Sequence, residues 1–509
     1  MSFRIETTPL PAAPVEPAQR DGGVDPGAFE GFIRVHGIEA QLERLHDPRV
    51  LVVTTGQQPA LFTGPVYTVY KALSAAALAG QLEARWERPV VPVFWIAGDD
   101  HDWTEARAAS WLGDDHALVT AALRERPASE PMRPLWREPL GAAVNDALEL
   151  ARETLPRTAH RDAVIEWLAR HFRPEATVAA ASASALAELL APYGIVCFDP
   201  TQVAAKRAAA RHIVKALGLA ADLDRDLGRR ATELVSESRD PGIPVGDGAT
   251  LVMLEGAQGR DRLVLDGNQY VARRSGERYS LGDLQRIAAE APERLSANVL
   301  LRPAVESALL PTVAYCAGPG ELRYLPLAEP VFQRMRIHRP EPVPRWSGRV
   351  IEAHVERAAR KFGLSVSEIS DPGVPIIARA ARGLVPDSAR RIVEGIRHSL
   401  EAAYESLEHE SVAIDPTLDR PTQGALGRSL DALARLERKL ARGARRRHEI
   451  ELRQLERART SLLPGGTPQE RVLTAASFLA RHGPGFFDEC AQAAAAWYQR
   501  ALEGRTVPA

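Results

Sequence analysis

The chain has 509 residues, which is too many for one hydrophobic core, so two or three domains are expected. Its 64 Lys and Arg residues nearly balance 66 Asp and Glu residues, and the net charge of −2 argues against a general nucleic-acid-binding protein. The three cysteines form no CxxC pair, which argues against a zinc ribbon or a disulfide framework. The chain starts without the apolar segment of a signal peptide and has no run of about 18 apolar residues. We therefore expect a cytoplasmic protein that binds neither nucleic acid nor a membrane.

The first strongly patterned segment combines two short apolar runs with a helix between them. The runs Leu51–Val53 and Val90–Ile96 are bounded by turn residues, as buried parallel strands are. The helix is predicted to have Thr63 or Gly64 as its N-cap and Pro65 as its first residue. A polar loop follows each strand. Ligands of open α/β sheets bind at the carboxyl ends of the strands, so these loops predict a functional site.

Similar strands recur farther along the chain, separated by insertions. Residues 112–190 are predicted to form a helical insertion, and residues 235–292 a small antiparallel one. A third buried strand lies at 193–200, and the segments 296–303 and 312–321 return to the pattern of a strand followed by a polar loop. We assign residues 1–385 to one α/β domain.

The pattern changes after Asp387, where apolar residues step by three or four. Two long helices joined by a Pro-rich turn are predicted within 386–463, as an antiparallel hairpin with a coiled-coil seam. The seam of the first helix contains Ile392, Ile396, Leu400, Ala403 and Leu407. A two-helix arm leaves half of its apolar stripe uncovered, which predicts a homodimer through this hairpin. Residues 464–509 are predicted to return to the α/β domain.

An acidic loop with one histidine follows the second strand directly. Asp99, Asp100 and Asp102 surround His101, and carboxylates in this arrangement set the tautomer of an imidazole, tune its pKa or bind a divalent cation with it. A solvated acidic turn is the alternative interpretation. No second His or Cys lies at zinc-ligand spacing, so no metal ligand is assigned.

The loop after the first strand carries Thr55, Gly56, Gln57 and Gln58, which suit a phosphate or another polar substrate. Its residue order is not that of a P-loop. Lys71 in the following helix could reach a phosphate or carboxylate, although a lone helical lysine is usually solvated. Tyr67 in the same helix is more often a core aromatic than a ligand.

The later loops add glycines, a carboxylate and two arginines. Gly318, Gly320 and Glu321 lie in a tight turn after a strand, and Arg302 and Arg345 lie at strand ends or bends. Each arginine is equally compatible with a structural role. Together these residues predict a cleft of acidic, basic and backbone N–H groups suited to activating a carboxyl with a nucleotide. Cys316 lies inside an apolar strand and is expected to serve packing.

Long motifs resemble a known family over nearly the whole chain. The segments 54–71 (TTGQQPALFTGPVYTVYK) and 92–103 (PVFWIAGDDHDW) are similar to the cysteine-adding enzymes of bacillithiol biosynthesis, the cysteine ligases. The segments 296–303 (SANVLLRP), 310–321 (LPTVAYCAGPGE) and 464–471 (PGGTPQER) share that resemblance.

The resemblance implies a fold and a reaction. The fold is α/β: a Rossmann-like core related to class I nucleotidyltransferases, with two connecting-peptide insertions and a dimerising α-helical antiparallel coiled coil. The reaction joins the carboxyl of cysteine to the amine of glucosaminyl-malate to give bacillithiol. A free carboxylate must be activated first, so we expect ATP as the source of an acyl-adenylate or acyl-phosphate, with Mg²⁺ as its companion cation.

Candidate roles follow from the loops and this expected reaction. We assign His101, Asp100, Asp102 and Lys71 to catalysis. His101 is expected to position substrate or to take a proton from the attacking amine. The residues assigned to substrate or nucleotide binding are Thr55, Gly56, Gln57, Gln58, Thr63, Gly64, Tyr67, Trp103, Asn298, Arg302, Gly318, Gly320, Glu321 and Arg345.

Two other classes of function stay open at this point. One is a nucleotidyltransferase or metal-dependent hydrolase that acts on another small molecule. The other is a coiled-coil scaffold with a degenerate core. The retention of every charged loop residue argues against the scaffold.

Overall fold

The computed structural model describes residues 3–8 and 14–504, and its internal contacts divide the chain into two units. The core unit contains Ile5–Asp114, Leu118–Val350 and the residues from Glu470 onward. The helical unit contains Ile351–Gln469 together with Asp115–Ala117. None of the described helices is long and apolar enough to span a membrane.

The strands are β1 (Phe3–Thr7), β2 (Leu51–Gln57), β3 (Val90–Ile96), β4 (Ala108–Leu112), β5 (Leu118–Ala122), β6 (Val196–Phe198), β7 (Ala249–Gly256), β8 (Gly259–Asp266), β9 (Gln269–Ala272), β10 (Arg278–Tyr279), β11 (Leu295–Ala297), β12 (Thr312–Ala317), β13 (Glu341–Pro344) and β14 (Gly348–Glu352). The α-helices are α1 (Glu39–Arg44), α2 (Tyr67–Trp86), α3 (Trp103–Ala106), α4 (Ala143–Thr154), α5 (Arg161–His171), α6 (Val178–Leu190), α7 (Val203–Gly218), α8 (Ala220–Ser236), α9 (Leu281–Glu290), α10 (Arg302–Leu309), α11 (Pro319–Tyr324), α12 (Glu329–Met335), α13 (Ala353–Phe362), α14 (Val366–Ile369), α15 (Ile376–Gly383), α16 (Asp387–Ile414), α17 (Asp419–Arg447), α18 (Glu449–Leu462), α19 (Ala475–His482) and α20 (Gly485–Leu502).

The core unit is built on a five-stranded parallel sheet in the order β13-β12-β2-β3-β6. Numbered by their appearance in the chain, these strands have the order 5-4-1-2-3, which is the Rossmann arrangement read from the opposite edge. The α/β, Rossmann-like prediction is confirmed. From β2 the chain first adds β3 and β6 on one side of the sheet and later adds β12 and β13 on the other side. The strand order therefore reverses between β2 and β12, and in this fold class a crevice that binds ligands opens at such a switch point.

Strands β2 and β3 are buried along almost their whole length because both faces of the sheet are covered. Val52, Val53, Val91 and Val93 are completely buried. Strand β2 also continues through Gln57, so the residues predicted as a loop after Val53 are mostly strand. Residues Thr54 to Gln57 pair with β3 up to Ile96, which extends the ladder to the rim of the sheet.

Helix α2 starts two residues later than predicted. The amide of Val66 donates a hydrogen bond to the carbonyl of Leu473 at 2.8 Å, and Pro65 forms a bridge with Thr474. These contacts hold Pro65 and Val66 against a distant segment, and the helix spans Tyr67–Trp86 with Val66 as its N-cap.

The antiparallel insertion is present as a sheet in the order β10-β9-β8-β7-β11. Its last strand was predicted to belong to the parallel sheet, and that assignment is wrong. Leu295–Ala297 pairs antiparallel with β7, with Ser296 opposite Met253.

The helical unit has its own core, which begins earlier than the predicted boundary at residue 386. Helix α13 contributes Val355 and Ala358, and α18 contributes Leu452 and Leu455 to one buried cluster. Because these α13 side chains are buried against α18, the boundary lies at Ile351. Helices α16 and α17 form the expected antiparallel hairpin, and α18 follows α17 in the chain.

The hairpin leaves part of the predicted seam uncovered. Ile392, Ile396 and Leu407 of α16 are 64%, 42% and 53% exposed, whereas Val393 of α16 and Leu433 of α17 are buried. The exposed three lie on one helical face at spacings that suit a further helix.

We expect a second copy of the chain to cover this face. The wild-type protein should have the molar mass of two chains by light scattering, and Ile396→Glu with Leu407→Glu should give one chain, because charges would be buried without partners. His409→Glu, on the exposed opposite face of α16, should leave the dimer intact. A wild-type mass of one chain would contradict this expectation.

Candidate functional site

Two adjoining cavities lie in the core unit at the carboxyl end of the parallel sheet. The switch-point pocket, of about 260 Å³, is lined by Gly56, Gln57, Gln58, Tyr67, Lys71, Gly318, Pro319, Gly320, Glu321, Tyr324, Arg345 and Arg471. The adjoining pocket, of about 270 Å³, is lined in its polar part by Asp99, His101, Lys206, Asp224, Arg260, Arg262, Ser296 and Asn298. Both cavities share Ala97, Asp100, Val299 and Arg302, so ligands held in each would meet there.

The floor of the switch-point pocket is organised around the ammonium group of Lys71, which is only 1% exposed. Its Nζ donates to the carbonyl of Gly56 and to Oε1 of Gln57 at 3.3 Å, and it forms an ion pair with Oε2 of Glu321 at 2.7 Å. Burial lowers the pKa of Lys71, and the Glu321 carboxylate opposes that shift. The three N–H donors of the ammonium all have acceptors, so Lys71 positions the surrounding groups.

Glu321 joins β12 and the turn after it to helix α2. It accepts hydrogen bonds from the Gly318 amide and the Tyr315 hydroxyl, both at 2.7 Å, in addition to its pair with Lys71. Burial raises the pKa of this carboxyl, but Lys71 and the two hydrogen-bond donors outweigh burial, so the net shift is downward. Glu321 is therefore ionised and fully engaged at neutral pH.

The arginines of this pocket divide into paired and unpaired groups. Arg302 forms an ion pair with Glu306 at 2.7 Å, and Arg345 forms one with Glu470 at 2.5 Å. Arg471 lies 5.7 Å from the Tyr67 ring centroid and makes no hydrogen bond or ion pair with any residue that the structure describes. Its guanidinium is the group at this pocket suited to an external anion.

Gly56 is required by close packing between β2 and β3. A Cβ atom added there would lie 2.8 Å from the carbonyl oxygen of Trp95. The neighbouring glutamines are tied into the framework, because Gln57 Nε2 donates to the Tyr67 hydroxyl at 2.9 Å and Gln58 Nε2 donates to the Asp102 carbonyl at 2.8 Å. Burial raises the pKa of Tyr67, which stays protonated.

His101 faces the adjoining pocket, where Arg260 determines its hydrogen-bonding state. Nη1 of Arg260 lies 3.1 Å from Nδ1 of His101. Arginine has no acceptor, so Nδ1 must be the acceptor and Nε2 carries the proton. Burial and the neighbouring Arg260 charge lower the pKa of His101 to about 4, although Asp100 opposes the shift. At neutral pH His101 is thus a hydrogen-bond donor through Nε2, and its basic lone pair is occupied.

The aspartates around His101 have three different roles. Asp99 forms an ion pair with the buried Lys206 at 2.6 Å. Asp100 accepts the amides of His101 and Asp102 at 2.6 and 3.2 Å, and its side chain is 41% exposed at the junction of the two cavities. Asp102 accepts the amide of Glu105 at 3.1 Å and caps α3.

Five predicted site residues line neither cavity: Thr55, Thr63, Gly64, Asp102 and Trp103. Thr55 is buried and donates to the Cys316 carbonyl at 2.7 Å, which ties β2 to β12. Trp103 is buried and donates to the Arg124 carbonyl at 2.9 Å. Asn298 lines the adjoining pocket, but its side-chain oxygen accepts the amides of Leu300 and Leu301 at 3.0 Å.

Several residues of the site were not predicted: Lys206, Arg260, Glu306, Tyr315, Tyr324 and Arg471. Arg471 is the last residue of the motif at 464–471, so that motif could have identified it as a site residue. Arg260 and Lys206 lie in segments without a motif, and only the folded chain brings them to His101 and Asp99.

Two family models match consecutive parts of the chain. The N-terminal Rossmann-like domain model of bacillithiol biosynthesis BshC matches residues 30–346, and the C-terminal coiled-coil domain model matches residues 349–497. These matches divide the chain close to the boundary between its two structural units.

Curated relatives carry the name "Putative cysteine ligase BshC". The relative from Solibacter usitatus is 31% identical over 459 residues, which cover 90% of this chain and 85% of the relative. The relative from Salinibacter ruber is 30% identical over 464 residues, covering 88% and 82%. The relative from Symbiobacterium thermophilum is 31% identical over 494 residues, covering 90% and 85%. The chain therefore belongs to the BshC family of bacillithiol biosynthesis.

Proposed function

We propose that the chain is a ligase that joins the carboxyl of L-cysteine to the amine of glucosaminyl-malate and so forms bacillithiol, with ATP activating the carboxyl. The observation that carries the proposal is the switch-point pocket, where four cationic side chains surround a small cavity: Lys71, Arg302, Arg345 and Arg471. Arg471 has no anionic partner within the described chain. A phosphate or carboxylate group of a substrate would supply that partner.

The two cavities suit two substrates. We assign the activated cysteine and its nucleotide to the switch-point pocket, because Rossmann folds bind nucleotides at this position. We assign the amine acceptor to the adjoining pocket. The amine nitrogen then attacks the activated carbonyl carbon, a C–N bond forms, and the C–O bond to the phosphate-containing leaving group breaks. The nitrogen gives up one proton in this step, to the Asp100 carboxylate or to the leaving group.

Asp100 is the residue best placed to orient the amine, because it lines both cavities. Its carboxylate would accept a hydrogen bond from the amine as the nitrogen approaches the carbonyl carbon. His101 would donate its Nε2 proton to an oxygen of the acceptor. This role replaces the expected one of a general base, since Arg260 already occupies Nδ1.

The pocket residues support ATP more directly than a protein-bound Mg²⁺. The carboxylates that line the switch-point pocket among the described residues are Asp100 and Glu321. Both carboxylate oxygens of Glu321 already interact with Lys71, Tyr315 or Gly318, so Glu321 is not available as a bidentate cation ligand. Any Mg²⁺ would therefore enter with the phosphates of ATP.

The direct test is a reaction of the purified protein with cysteine, glucosaminyl-malate, ATP and Mg²⁺, followed by mass spectrometry. We expect a new amide product together with either AMP or ADP, which identify adenylate and phosphate activation respectively. Omission of ATP should abolish the product. Failure to form any amide under these conditions, with a folded dimer present, would overturn the assignment.

Arg471→Ala should weaken binding of the anionic substrate without affecting the fold. Loss of a hydrogen bond to a charged group removes about 1.5–3 kcal/mol, so the KM for ATP should rise about 10- to 100-fold. The matched control is Arg339→Ala, since Arg339 is also exposed and lines neither cavity. An equal change in both variants would remove Arg471 from the site.

The protonation state of His101 makes a separate prediction about stability. Its folded-state pKa of about 4 lies below the ordinary value of 6.5, so the unfolded chain binds more protons between these pH values. The contribution of neutral His101 to the free energy of unfolding is therefore complete above pH about 6.5 and is lost as pH falls towards about 4.

His101→Asn keeps a hydrogen-bond acceptor for Arg260 but removes the titrating ring. The melting temperature of the wild type relative to this variant should therefore decrease as pH falls from 7.5 to 5, measured by circular dichroism. A difference that stays constant or increases towards pH 5 would show that His101 is not held neutral.

A further inference from the structure

A second cluster of chemically active side chains lies in the helical unit, outside the candidate ligase site. One donor atom each from His116, Glu352 and His354 can be chosen so that the three lie within 4.8 Å of one another. We propose that these residues bind a divalent transition metal of the zinc class, with two imidazole nitrogens and one carboxylate oxygen as ligands.

The separations of the donor atoms suit a tetrahedral ion. Oε2 of Glu352 lies 3.1 Å from Nδ1 of His354 and 3.8 Å from Nδ1 of His116. Zinc binds imidazole nitrogen and carboxylate oxygen at about 2.0–2.2 Å, which places neighbouring tetrahedral ligands about 3.3–3.5 Å apart. Small side-chain adjustments would bring both pairs to that separation. The two rings also lie close, with centroids 4.0 Å apart.

The surroundings provide the outer hydrogen bonds that metal-binding histidines use. Nε2 of His354, on the ring edge away from Glu352, lies 3.1 Å from Oγ of Ser461. Ser461 Oγ donates in turn to the carbonyl of Arg457 at 3.1 Å. The same Oγ lies 3.3 Å from Nδ1 of His116, a contact that an ion bound to that nitrogen would replace. A neutral His354 can therefore present Nδ1 to the ion and donate Nε2–H to Ser461, which fixes the tautomer and the ring orientation.

The ligands are also shielded and held by the backbone. The side chains of His116, Glu352 and His354 are 16%, 10% and 19% exposed. Glu352 is the last residue of β14 and the N-cap of α13, and His354 lies in the first turn of that helix. Two histidines and one carboxylate leave a fourth position for water or another ligand, which is the ligand count of open zinc sites.

The choice of metal follows from the ligand types. Imidazole nitrogens favour zinc, copper and nickel over magnesium and calcium, which prefer sites made of oxygen ligands. The proposal is independent of the ligase assignment, because none of its residues lines either cavity of the core unit.

The test measures metal binding by the full-length, tag-free chain. Bound metal is removed from the protein with a chelator, and the protein is dialysed against Zn²⁺ and then against metal-free buffer. Its zinc content is then measured by elemental mass spectrometry. We expect about one zinc ion per chain. Co²⁺ in place of Zn²⁺ should give the visible absorption of a four-coordinate ion.

The variants separate ligation from folding. His116 has a φ of 61°, and asparagine tolerates that conformation, so His116→Asn should fold and lose the metal. His354→Asn should also lose it, and Ser461→Ala should weaken zinc binding about 10- to 100-fold. The control is His398→Asn, because His398 is an exposed histidine that pairs with Glu394 on α16. Far-UV circular dichroism would verify the fold of each variant.

Two results would overturn the proposal. One is a wild-type chain that retains less than about a tenth of an ion under these conditions, which would make the cluster a His–Glu–His ion-pair network. The other is equal zinc binding by the wild type, His116→Asn and His354→Asn, which would place the metal elsewhere. Neither result affects the formation of the amide product.

Discussion

The buried ammonium of Lys71 is the constraint on which the candidate site depends. Removing a charge from water costs several kcal/mol, and this cost is offset only when the partners are complete. The carbonyl of Gly56, the amide oxygen of Gln57 and the carboxylate of Glu321 supply them. The end of β2, helix α2 and the turn after β12 must therefore keep one relative position. Breaking such a buried pair typically costs about 3–5 kcal/mol, so this requirement makes the floor of the switch-point pocket rigid.

That constraint also separates the cationic side chains that hold the pocket together from the one that is available to bind a substrate anion. Lys71, Arg302 and Arg345 each have a carboxylate partner within the chain, and their charges are largely balanced there. Arg471 stands at the rim with no such partner in the described residues. A substrate anion would therefore meet a neutralised floor and one available guanidinium. Binding strength and site rigidity then reside in different residues, which is why loss of Arg471 is expected to leave the fold intact.

The parallel sheet and the main loops could be predicted because each depends on local pattern. Apolar runs such as Val90–Ile96 identify buried strands, and polar residues at their ends identify the rim. The partners of those polar residues could not be predicted in the same way. Arg260 reaches His101 from the antiparallel insertion, and Lys206 reaches Asp99 from α7. Neither segment has a spacing that points to its partner, and the assignment of Leu295–Ala297 to the wrong sheet has the same origin.

The state of His101 illustrates how such a distant contact changes chemistry. From the acidic loop alone, neighbouring carboxylates would raise the pKa of the imidazole and favour a base. In the folded chain the loop is partly buried and Arg260 donates to Nδ1, so the net shift is downward and the free ring nitrogen is the protonated one. The same side chain becomes a neutral donor. Proton acceptance from an amine must then depend on a carboxylate or on the leaving group. Asp100, the residue before His101, is a carboxylate that lines both cavities.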